Sequence, residues 1–340
     1  MLGRVKELLA REMAMDLGTA NTLIYVRGKG VVMDEPSVVA LDQQSGKVVA
    51  VGAEAKSLRG RHGQGITTSR PLRDGVIHDF DMATVMIKTF LDKVFRRLPL
   101  SRPKLVIAVP TGITSVEKRA VVEAAEIAGA GKVRLVEEPM AAAIGAGLAV
   151  DQPEGQMIVD IGGGTTEVAV ISHFAITFSE SLRVAGDEAN EAVLRYIRTE
   201  HKLGISENMA EVVKMKIGSA MPLGKQLEVK LRGKCLLGGM PRTIVLSDAQ
   251  IREVLKDPTM AVVDAIRRVL EKAPPDLASD IAENGIWLAG GGALLKGLKH
   301  LVQDSLGVEA FMTEDPLRAV IRGAGAVTER PDFYQSVFLN

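Results

Sequence analysis

Two short segments of the sequence carry the same arrangement of residues that could bind phosphate. Asp16–Thr22 and Asp160–Thr166 both have the pattern Asp-apolar-Gly-x-x-x-Thr, and each lies between two apolar, strand-like runs. The pattern predicts a β-hairpin whose glycine turn exposes backbone N–H groups. A lone turn of this kind is typical of a solvated hairpin, and the pair could be two turns stabilised by their Asp side chains. Two matched hairpins that face each other favour a polyphosphate site.

The acid that begins each segment indicates a cation. Asp16 and Asp160 would place two carboxylates beside a phosphate chain, which is unfavourable unless a cation lies between them. Mg²⁺ prefers oxygen ligands and keeps much of its water, so we predict that these two acids hold Mg²⁺, mostly through water. The turn residues predicted to contact the phosphates are Gly18, Thr19, Ala20 and Asn21 in one hairpin and Gly162, Gly163, Gly164 and Thr165 in the other.

An acidic pair lies where another apolar strand ends. Glu137 and Glu138 precede Pro139, which suits the first position of a helix. Phosphoryl hydrolysis needs a polar group that orients the attacking water, and Glu138 is the candidate, with Thr165 as a helper and Asp160 beside them in the catalytic group. The alternative is a carboxylate that only interacts with the helix dipole, and from these residues alone that alternative is favoured.

A glycine turn and a charged pair are candidates for the rest of a nucleotide. Gly290, Gly291 and Gly292 follow a predicted strand, and with Ala293 and Leu294 they are predicted to open a helix, an arrangement common at nucleotide sites of α/β sheets. Glu211 and Lys214 lie one helical turn apart and could bind ribose hydroxyls and the base edge. Such a pair is more often a surface ion pair.

Composition and absent motifs exclude several classes of protein. The chain has 42 Lys+Arg and 42 Asp+Glu, so its zero formal charge argues against a nucleic-acid partner. One cysteine and five scattered histidines exclude an intrachain disulfide and a thiolate zinc site. No GxxxxGK[ST], GxGxxG or GxSxG pattern occurs. A nucleotide would therefore bind on neither a P-loop nor a Rossmann turn.

The elements that must position these residues alternate along the chain, which favours α/β layers with a mainly parallel sheet. No linker separates two halves, so any domains are packed together. Strands are predicted at residues 22–27, 37–41, 47–51, 104–109, 133–137, 156–161, 167–171 and 285–289. Helices are predicted at residues 82–96, 115–128, 139–149, 187–201, 208–218, 248–272 and 294–305.

The N-terminus predicts a membrane contact. Over residues 1–11 the apolar side chains Leu2, Val5, Leu8 and Leu9 share one helical face beside basic residues, as in a helix that lies in a membrane interface. A frayed or core-packed terminus is an equal alternative. Leu98 and Leu100, between arginines, form a second candidate contact, although alone such a segment is more often an ordinary loop. No signal peptide or spanning segment is evident, so we expect a cytoplasmic protein at the membrane surface.

Several longer motifs resemble a known superfamily in the same order along the chain. The segments that resemble the actin, heat-shock-chaperone and sugar-kinase superfamily are DLGTANT at 16–22, EEPMAAAIGAGL at 137–148, DIGGGTTEVAVIS at 160–172 and LAGGGALLKGL at 288–298. Those that resemble its MreB family of bacterial actins are EPSVVA at 35–40, RPLRDGVIHDF at 70–80, AGDEANEA at 185–192 and PPDLASDI at 274–281. The resemblance covers residues 13–328.

The resemblance implies an actin-like fold of two duplicated ribonuclease H-like domains, each with a mixed sheet flanked by helices. Domain I would comprise residues 1–140 and about 318–340, with a small subdomain at about 33–66. Domain II would comprise residues 141–317, with a small subdomain at about 182–244. A nucleotide cleft would lie between them. Ala189 and Asn190 depart from the Met-Asp pair of many relatives, which puts a detail of filament contact or nucleotide coupling in doubt.

The same resemblance implies a slow ATPase that binds ATP or ADP with Mg²⁺ and polymerises into antiparallel double filaments. Such filaments lie on the inner membrane and direct wall elongation and rod shape with MreC, MreD, RodZ and elongation synthases. It strengthens the roles of Glu138, Glu211 and Lys214. A small-molecule kinase is the first alternative, for which Asp74 is a candidate base. A chaperone is the second, although only about a dozen residues follow Val327.

Overall fold

The computed structural model describes residues 12–58, 65–95 and 102–339. The predicted membrane residues Leu2, Val5, Leu8, Leu9, Leu98 and Leu100 lie outside these ranges. The strands are β1 (Glu12–Leu17), β2 (Asn21–Val26), β3 (Gly30–Pro36), β4 (Val39–Asp42), β5 (Val48–Val51), β6 (Ile66–Ser69), β7 (Leu72–Arg73), β8 (Val76–Ile77), β9 (Lys104–Val109), β10 (Lys132–Glu137), β11 (Gln156–Ile161), β12 (Thr166–Ser172), β13 (Ala175–Leu182), β14 (Leu203–Gly204), β15 (Glu228–Cys235), β16 (Pro241–Ser247), β17 (Ile286–Ala289) and β18 (Ala310–Met312).

Ten α-helices connect the described strands. They are α1 (Ala53–Leu58), α2 (Phe80–Phe95), α3 (Ser115–Ile127), α4 (Glu138–Ala146), α5 (Gly186–Glu200), α6 (Glu207–Ile217), α7 (Asp248–Lys272), α8 (Pro275–Asn284), α9 (Leu298–Leu306) and α10 (Ala319–Glu329). Short 3₁₀ turns occur at Gly291–Leu294, Pro316–Arg318 and Gln335–Val337. None of the helices in the described ranges is both long enough and apolar enough to cross a bilayer.

Two five-stranded sheets repeat one topology. Their strand orders are β10-β9-β1-β2-β3 and β13-β12-β11-β17-β18. In each, three consecutive strands pair antiparallel and two later strands add in parallel on the side of the first. The prediction of a mainly parallel sheet from element alternation is wrong, because short turns join neighbouring strands where a crossover would be needed. The mixed, duplicated architecture implied by the resemblance is confirmed.

Two three-stranded sheets extend the two halves. In the chain, the strands of the sheet β5-β4-β6 come between β3 and β9 of the first large sheet, and those of β14-β15-β16 come between β13 and β17 of the second. Helix α1 packs on the first small sheet, and α5, α6 and α7 pack on the second. We call the half built on β1–β10 the first lobe and the half built on β11–β18 the second lobe.

The apolar core between the lobes depends on alternating faces of the strands. Met13 and Met15 of β1 face the cluster under α2 and α3, whereas Ala14 faces the opposite side. There it joins side chains from β11 and β12, with α4 and α10 between the two sheets. These helices approach unusually closely: a Cβ on Gly145 would overlap the carbonyl oxygen of Ala319. The lobes therefore share one apolar cluster, which is built around α4 and α10, in addition to the cluster that each large sheet has on its other face.

Candidate functional site: the cleft between two glycine hairpins

The two hairpins predicted from the repeated pattern lie against each other. The turn between β1 and β2 carries Thr19 and Ala20, and the turn between β11 and β12 carries Gly163 and Gly164. A Cβ on Gly163 would lie 2.8 Å from the Cβ of Ala20, and one on Gly164 would lie 3.0 Å from Thr19 Oγ1. Glycine is required at both positions because a larger residue would separate the tips.

Side-chain hydrogen bonds hold the first hairpin in place. Ser37 Oγ donates to the carbonyl oxygen of Gly18 at 2.6 Å and lies 2.9 Å from Thr22 Oγ1. Thr19 Oγ1 accepts from the Gly75 backbone N–H at 2.9 Å. In the second hairpin, the N–H of Gly162 donates to the carbonyl oxygen of Thr165 at 2.9 Å. Both turns are therefore fixed without using all of their backbone N–H groups.

The carboxyl groups of Asp16, Glu138, Asp160 and Glu167 cluster behind the hairpin tips. Burial, together with Asp34, raises the pKa of Asp16 to about 7, and burial, Asp16 and Glu167 raise that of Asp160 to about 8. The pKa of Glu138 is raised well above its usual range by burial, then by Asp16, Glu167 and Asp160. Within the described ranges, no Lys or Arg pairs with Asp16, Glu138 or Asp160. A cation would relieve this concentration of acids.

The donor set fits a magnesium ion that keeps most of its water. Among the described residues, no three His, Cys, Asp or Glu side chains are placed to hold a metal directly. Asp16 and Asp160 are oxygen donors that repel each other. A hydrated Mg²⁺ needs only one or two protein carboxylates. These two acids, which each begin a glycine turn, are the residues that would hold it.

The cluster predicts that the metal-free protein loses stability as the pH rises. Asp16 and Asp160 ionise near pH 4 when the chain is unfolded, but near pH 7 and pH 8 when it is folded. Between these values the folded protein binds more protons, so the free energy of unfolding falls by roughly 1.4 kcal/mol per pH unit and per group. Thermal unfolding should give a lower Tm at pH 8.5 than at pH 6.

Substitution of one acid of the cluster tests whether the cluster causes this dependence of stability on pH. Asp160→Asn should remove a large part of the pH effect, whereas Asp276→Asn, at an exposed position of α8, should leave it unchanged. A Tm that increases from pH 6 to pH 8.5 in metal-free buffer would show that these acids are not buried in the folded protein.

A cavity of about 590 Å³ opens beside the hairpin tips. The predicted residues on its wall are Ala20, Asn21, Gly162, Gly163, Glu211, Lys214, Gly291, Gly292 and Leu294. Those that lie outside the wall are Asp16, Gly18, Thr19, Glu138, Asp160, Gly164, Thr165, Gly290 and Ala293. Segments that are far apart in sequence therefore meet around one cavity. The carboxyl cluster lies behind the hairpin tips that form part of the cavity wall.

Glu211 and Lys214 have different partners. Lys214 Nζ donates to the carbonyl oxygen of Gly186 at 2.8 Å, and burial lowers its pKa although Glu211 and Asp187 oppose the shift. Glu211 Oε2 lies 3.8 Å from Lys56 Nζ of the first lobe. Both side chains line the cavity, so they present one cation and one anion to whatever binds there.

The predicted helix after the glycine turn begins later than expected. Gly291–Leu294 form a 3₁₀ turn, Leu295 is extended, and α9 starts only at Leu298. The prediction that Gly290–Gly292 open an α-helix is therefore wrong. Gly290 has a φ of 78°, and a Cβ there would lie 2.5 Å from Asp160 Oδ1. These glycines permit close packing against β11.

Several polar residues of the cavity wall were not among the candidates from sequence, and three of them lie at the junction of the lobes. Arg70 and Asp187 line it from opposite lobes. Asn190 is 4% exposed, lines the same space, and its Oδ1 has no hydrogen-bond partner in the described structure. The departure at Ala189-Asn190 was the available signal for this residue. For Arg70 and Asp187, sequence spacing gives no indication of contact.

Comparison with known proteins agrees with this architecture. Residues 10–336 match the family model of the MreB/Mbl protein. The chain is 46% identical over 325 residues to the cell shape-determining protein Mbl of Bacillus subtilis (strain 168), covering 96% of this chain and 98% of that protein. It is 45% identical over 339 residues to the cell shape-determining protein MreB of Escherichia coli (strain K12), covering 98% of each.

A solved structure gives the same result. The crystal structure of MreB5 of Spiroplasma citri bound to ADP matches with a TM-score of 0.91 at 34% identity, and the match covers 96% of this chain and 98% of that one. The family match and the two relatives each span nearly the whole chain. The protein is a member of the MreB/Mbl family of actin-like proteins.

Proposed function

We propose that the protein binds ATP and ADP in the cleft and hydrolyses ATP slowly. The observation that carries this proposal is the contact between two glycine hairpins at the edge of a 590 Å³ cavity. Backbone N–H groups on both tips can contact a phosphate chain from two sides. The MreB5 structure, which this chain resembles over 96% of its length, was solved with ADP.

Each part of the cavity wall has a distinct role in this proposal. The turns at Thr19–Asn21 and Gly163–Thr165 bind the phosphates. Glu211 and Lys214 bind ribose hydroxyls and the base edge. The glycine turn Gly290–Leu294 approaches the base from the other side. Exposed apolar side chains at the cavity, Met215 and Leu317, would cover the base and exclude water.

The carboxyl cluster supplies the chemistry. Asp16 and Asp160 would hold Mg²⁺, which when bound neutralises charge on the phosphates. Glu138 and Thr165, each 7% exposed, would orient the water that attacks the terminal phosphate. Burial and three nearby acids raise the pKa of Glu138, and positive charge that enters the site would oppose this shift.

We further propose that the protein polymerises into antiparallel double filaments and directs cell-wall elongation and rod shape. Its relatives are named cell shape-determining proteins. The filaments would lie on the cytoplasmic face of the inner membrane, with MreC, MreD, RodZ and elongation synthases as partners. In this proposal domain I comprises residues 1–140 and about 318–340, and domain II comprises residues 141–317.

A pair of lysines on one helix tests nucleotide binding. Lys214→Ala should weaken ATP binding about tenfold, because it removes the one cation that α6 presents to the cavity. Lys216→Ala changes an exposed lysine two residues away and should leave the affinity unchanged. Titration with a fluorescent ATP analogue measures both. Wild-type protein that binds no nucleotide in the presence of Mg²⁺ would refute the proposed function.

Liposome sedimentation tests the membrane proposal. With ATP and Mg²⁺, the full chain should pellet with vesicles that contain anionic lipid. Deletion of residues 1–9 should reduce this recovery several-fold without affecting ATP binding, because it removes the predicted interfacial helix. A variant in which serine replaces Leu98 and Leu100 measures how much this second candidate contact contributes to recovery with the vesicles. Equal recovery for all three proteins would exclude both segments as anchors.

A further inference from the structure

Arg70 reaches from one lobe to the other across the cleft. It lies just before β7 in the first lobe and lines the cavity. Its Nη1 donates to Asp187 Oδ2 at 2.6 Å, and its Nη2 lies 3.3 Å from Glu207 Oε1. Both acids belong to the second lobe, in the first turns of α5 and α6. The side chain of Arg70 therefore connects the segment between β6 and β7 of the first lobe to α5 and α6 of the second.

The surroundings make these contacts stronger than an ordinary surface ion pair. The side chain of Arg70 is 22% exposed and that of Asp187 is 28% exposed. Burial lowers the pKa of Arg70, but the nearby acids Asp187, Glu207 and Glu211 reverse the shift and raise it. Charge-assisted hydrogen bonds in a partly desolvated site gain strength and geometric specificity. Opening the cleft would separate these charges.

Asp187 also supports the second hairpin. Its backbone N–H donates to the carbonyl oxygen of Gly163 at 2.7 Å, and the N–H of Gly186 donates to that of Gly162 at 3.2 Å. The carbonyl oxygen of Gly186 accepts from Lys214 Nζ. The first two residues of α5, Gly186 and Asp187, therefore contact Arg70, the second hairpin and Lys214, which is proposed to bind the nucleotide.

Two other ion pairs between these parts of the lobes, among the described residues, are weaker. Lys56 and Glu211 lie 3.8 Å apart, and their side chains are 40% and 38% exposed. Asp74 and Arg183 also lie 3.8 Å apart, and their side chains are 43% and 75% exposed. Exposed pairs at such a distance contribute little. Among the described contacts at the cavity, the Arg70 network is the main polar connection that must break when the lobes separate.

We propose that Arg70 is a positioning residue that straps the cleft shut and so slows release of the bound nucleotide. This inference rests on the proposed nucleotide site. Arg70 holds the first lobe on the backbone that supports Gly162 and Gly163, so the closed cleft and the phosphate-binding hairpin are stabilised together. A contact present only in the closed state shifts the population towards it. Nucleotide then leaves at the rate at which the strap opens.

Stopped-flow release of a fluorescent ADP analogue, chased with excess ATP, tests the strap. Arg70→Ala should raise the release rate at least tenfold, and Arg70→Lys should restore part of the slow release. Arg73→Ala changes an exposed arginine in the same segment and should behave as the wild type. Asp187→Asn should also accelerate release, and the double variant should show no further increase, since both changes break one contact.

Two further readouts separate a strap from a residue that only maintains the fold. Single-turnover hydrolysis of bound ATP should fall much less than nucleotide release accelerates in Arg70→Ala, because the ion pairs of Arg70 are with Asp187 and Glu207 and not with Glu138. In the nucleotide-free protein, Arg70→Ala should accelerate hydrogen exchange at the Asp187 amide while exchange in β9 and β11 is unchanged. Release equal to that of Arg73→Ala overturns the inference. Failure of the wild type to bind nucleotide refutes the proposed function instead, and the exchange experiment still reports on the strap.

Discussion

Replacement of Glu138 by glutamine will leave ATP bound but lower the rate of phosphate release by about 100-fold or more. A positioned acid or base contributes about 10²–10⁴-fold to such reactions. Glutamine keeps the shape of the side chain and can still form hydrogen bonds, but it cannot accept a proton from the water. Phosphate release under single-turnover conditions, with saturating ATP and Mg²⁺, measures the effect on the chemical step alone.

The adjacent Glu137 provides a matched control. It ends β10, is half-buried, and burial raises its pKa too. Glu137→Gln should hydrolyse ATP within about twofold of the wild type. Glu138→Gln should also stabilise the metal-free protein above pH 7, because it removes a buried acid from beside Asp16 and Asp160. Unchanged phosphate release in Glu138→Gln would remove this residue from the mechanism.

The second large effect concerns folding rather than chemistry. Gly323→Ala will destabilise the protein by about 3 kcal/mol or more, at the upper end of overpacking effects. In an isolated helix the same change would be stabilising by about 1 kcal/mol. Here a Cβ on Gly323 would overlap the carbonyl oxygen of Ala141 in α4, which has no room to withdraw because Gly145 packs on α10 in the same way.

Chemical denaturation of the variant and of a surface control tests this prediction. Gly224 has no atom within 4 Å of a Cβ placed on it, so Gly224→Ala should change stability by less than about 0.5 kcal/mol. Gly145→Ala should resemble Gly323→Ala. If Gly323→Ala unfolds at the same denaturant concentration as the wild type, α4 and α10 do not approach as closely in solution as in the structure.

Some elements are evident from sequence because a local signal defines both of their ends. The sequence predicts β9 at Lys104–Val109, β11 at Gln156–Ile161 and α7 at Asp248–Lys272, with the bounds that the structure has. Each of the two strands has a central apolar run, and Pro103 and Pro110 flank β9 while Gly155 and Gly162 flank β11. The helix begins with a capping box at Ser247 and Gln250. Pro258 lies inside α7 without ending it, because tertiary packing supports the helix on both sides.

Other elements have no such signal. Helix α10 is rich in alanine and glycine, and only its close contact with α4 makes those residues appropriate. Strand β15 alternates the charged residues Lys230, Arg232 and Lys234 with partly or fully buried positions, but a charged run of this kind is equally typical of a loop. Helix α8 begins at the second of two prolines, Pro274 and Pro275, and was not predicted. In each case, packing rather than local preference determines the structure.

The candidate site divides in the same way. The repeated Asp-apolar-Gly pattern identifies both hairpins because backbone geometry is local and requires glycine. That the hairpins touch, and that Glu138 shares a cluster with Asp16 and Asp160, depends on how the two lobes pack together. Arg70 and Asp187 are 117 residues apart, and no pattern within either segment indicates the other. The ion pairs of Arg70 across the cleft are therefore the part of the site that sequence reasoning missed.

The position of α10 has a consequence for synthesis on the ribosome. The helix packs on β1, β2 and β9, and its last residue, Glu329, accepts hydrogen bonds from Tyr25 and Gly28. The last strand of the first large sheet ends at Glu137, but α10 begins only at Ala319. At about 5–20 residues per second, that interval takes on the order of 10–40 s. During this time α4 covers only part of one apolar face of the nascent sheet, so the first lobe cannot complete its packing until the end of the chain has been made.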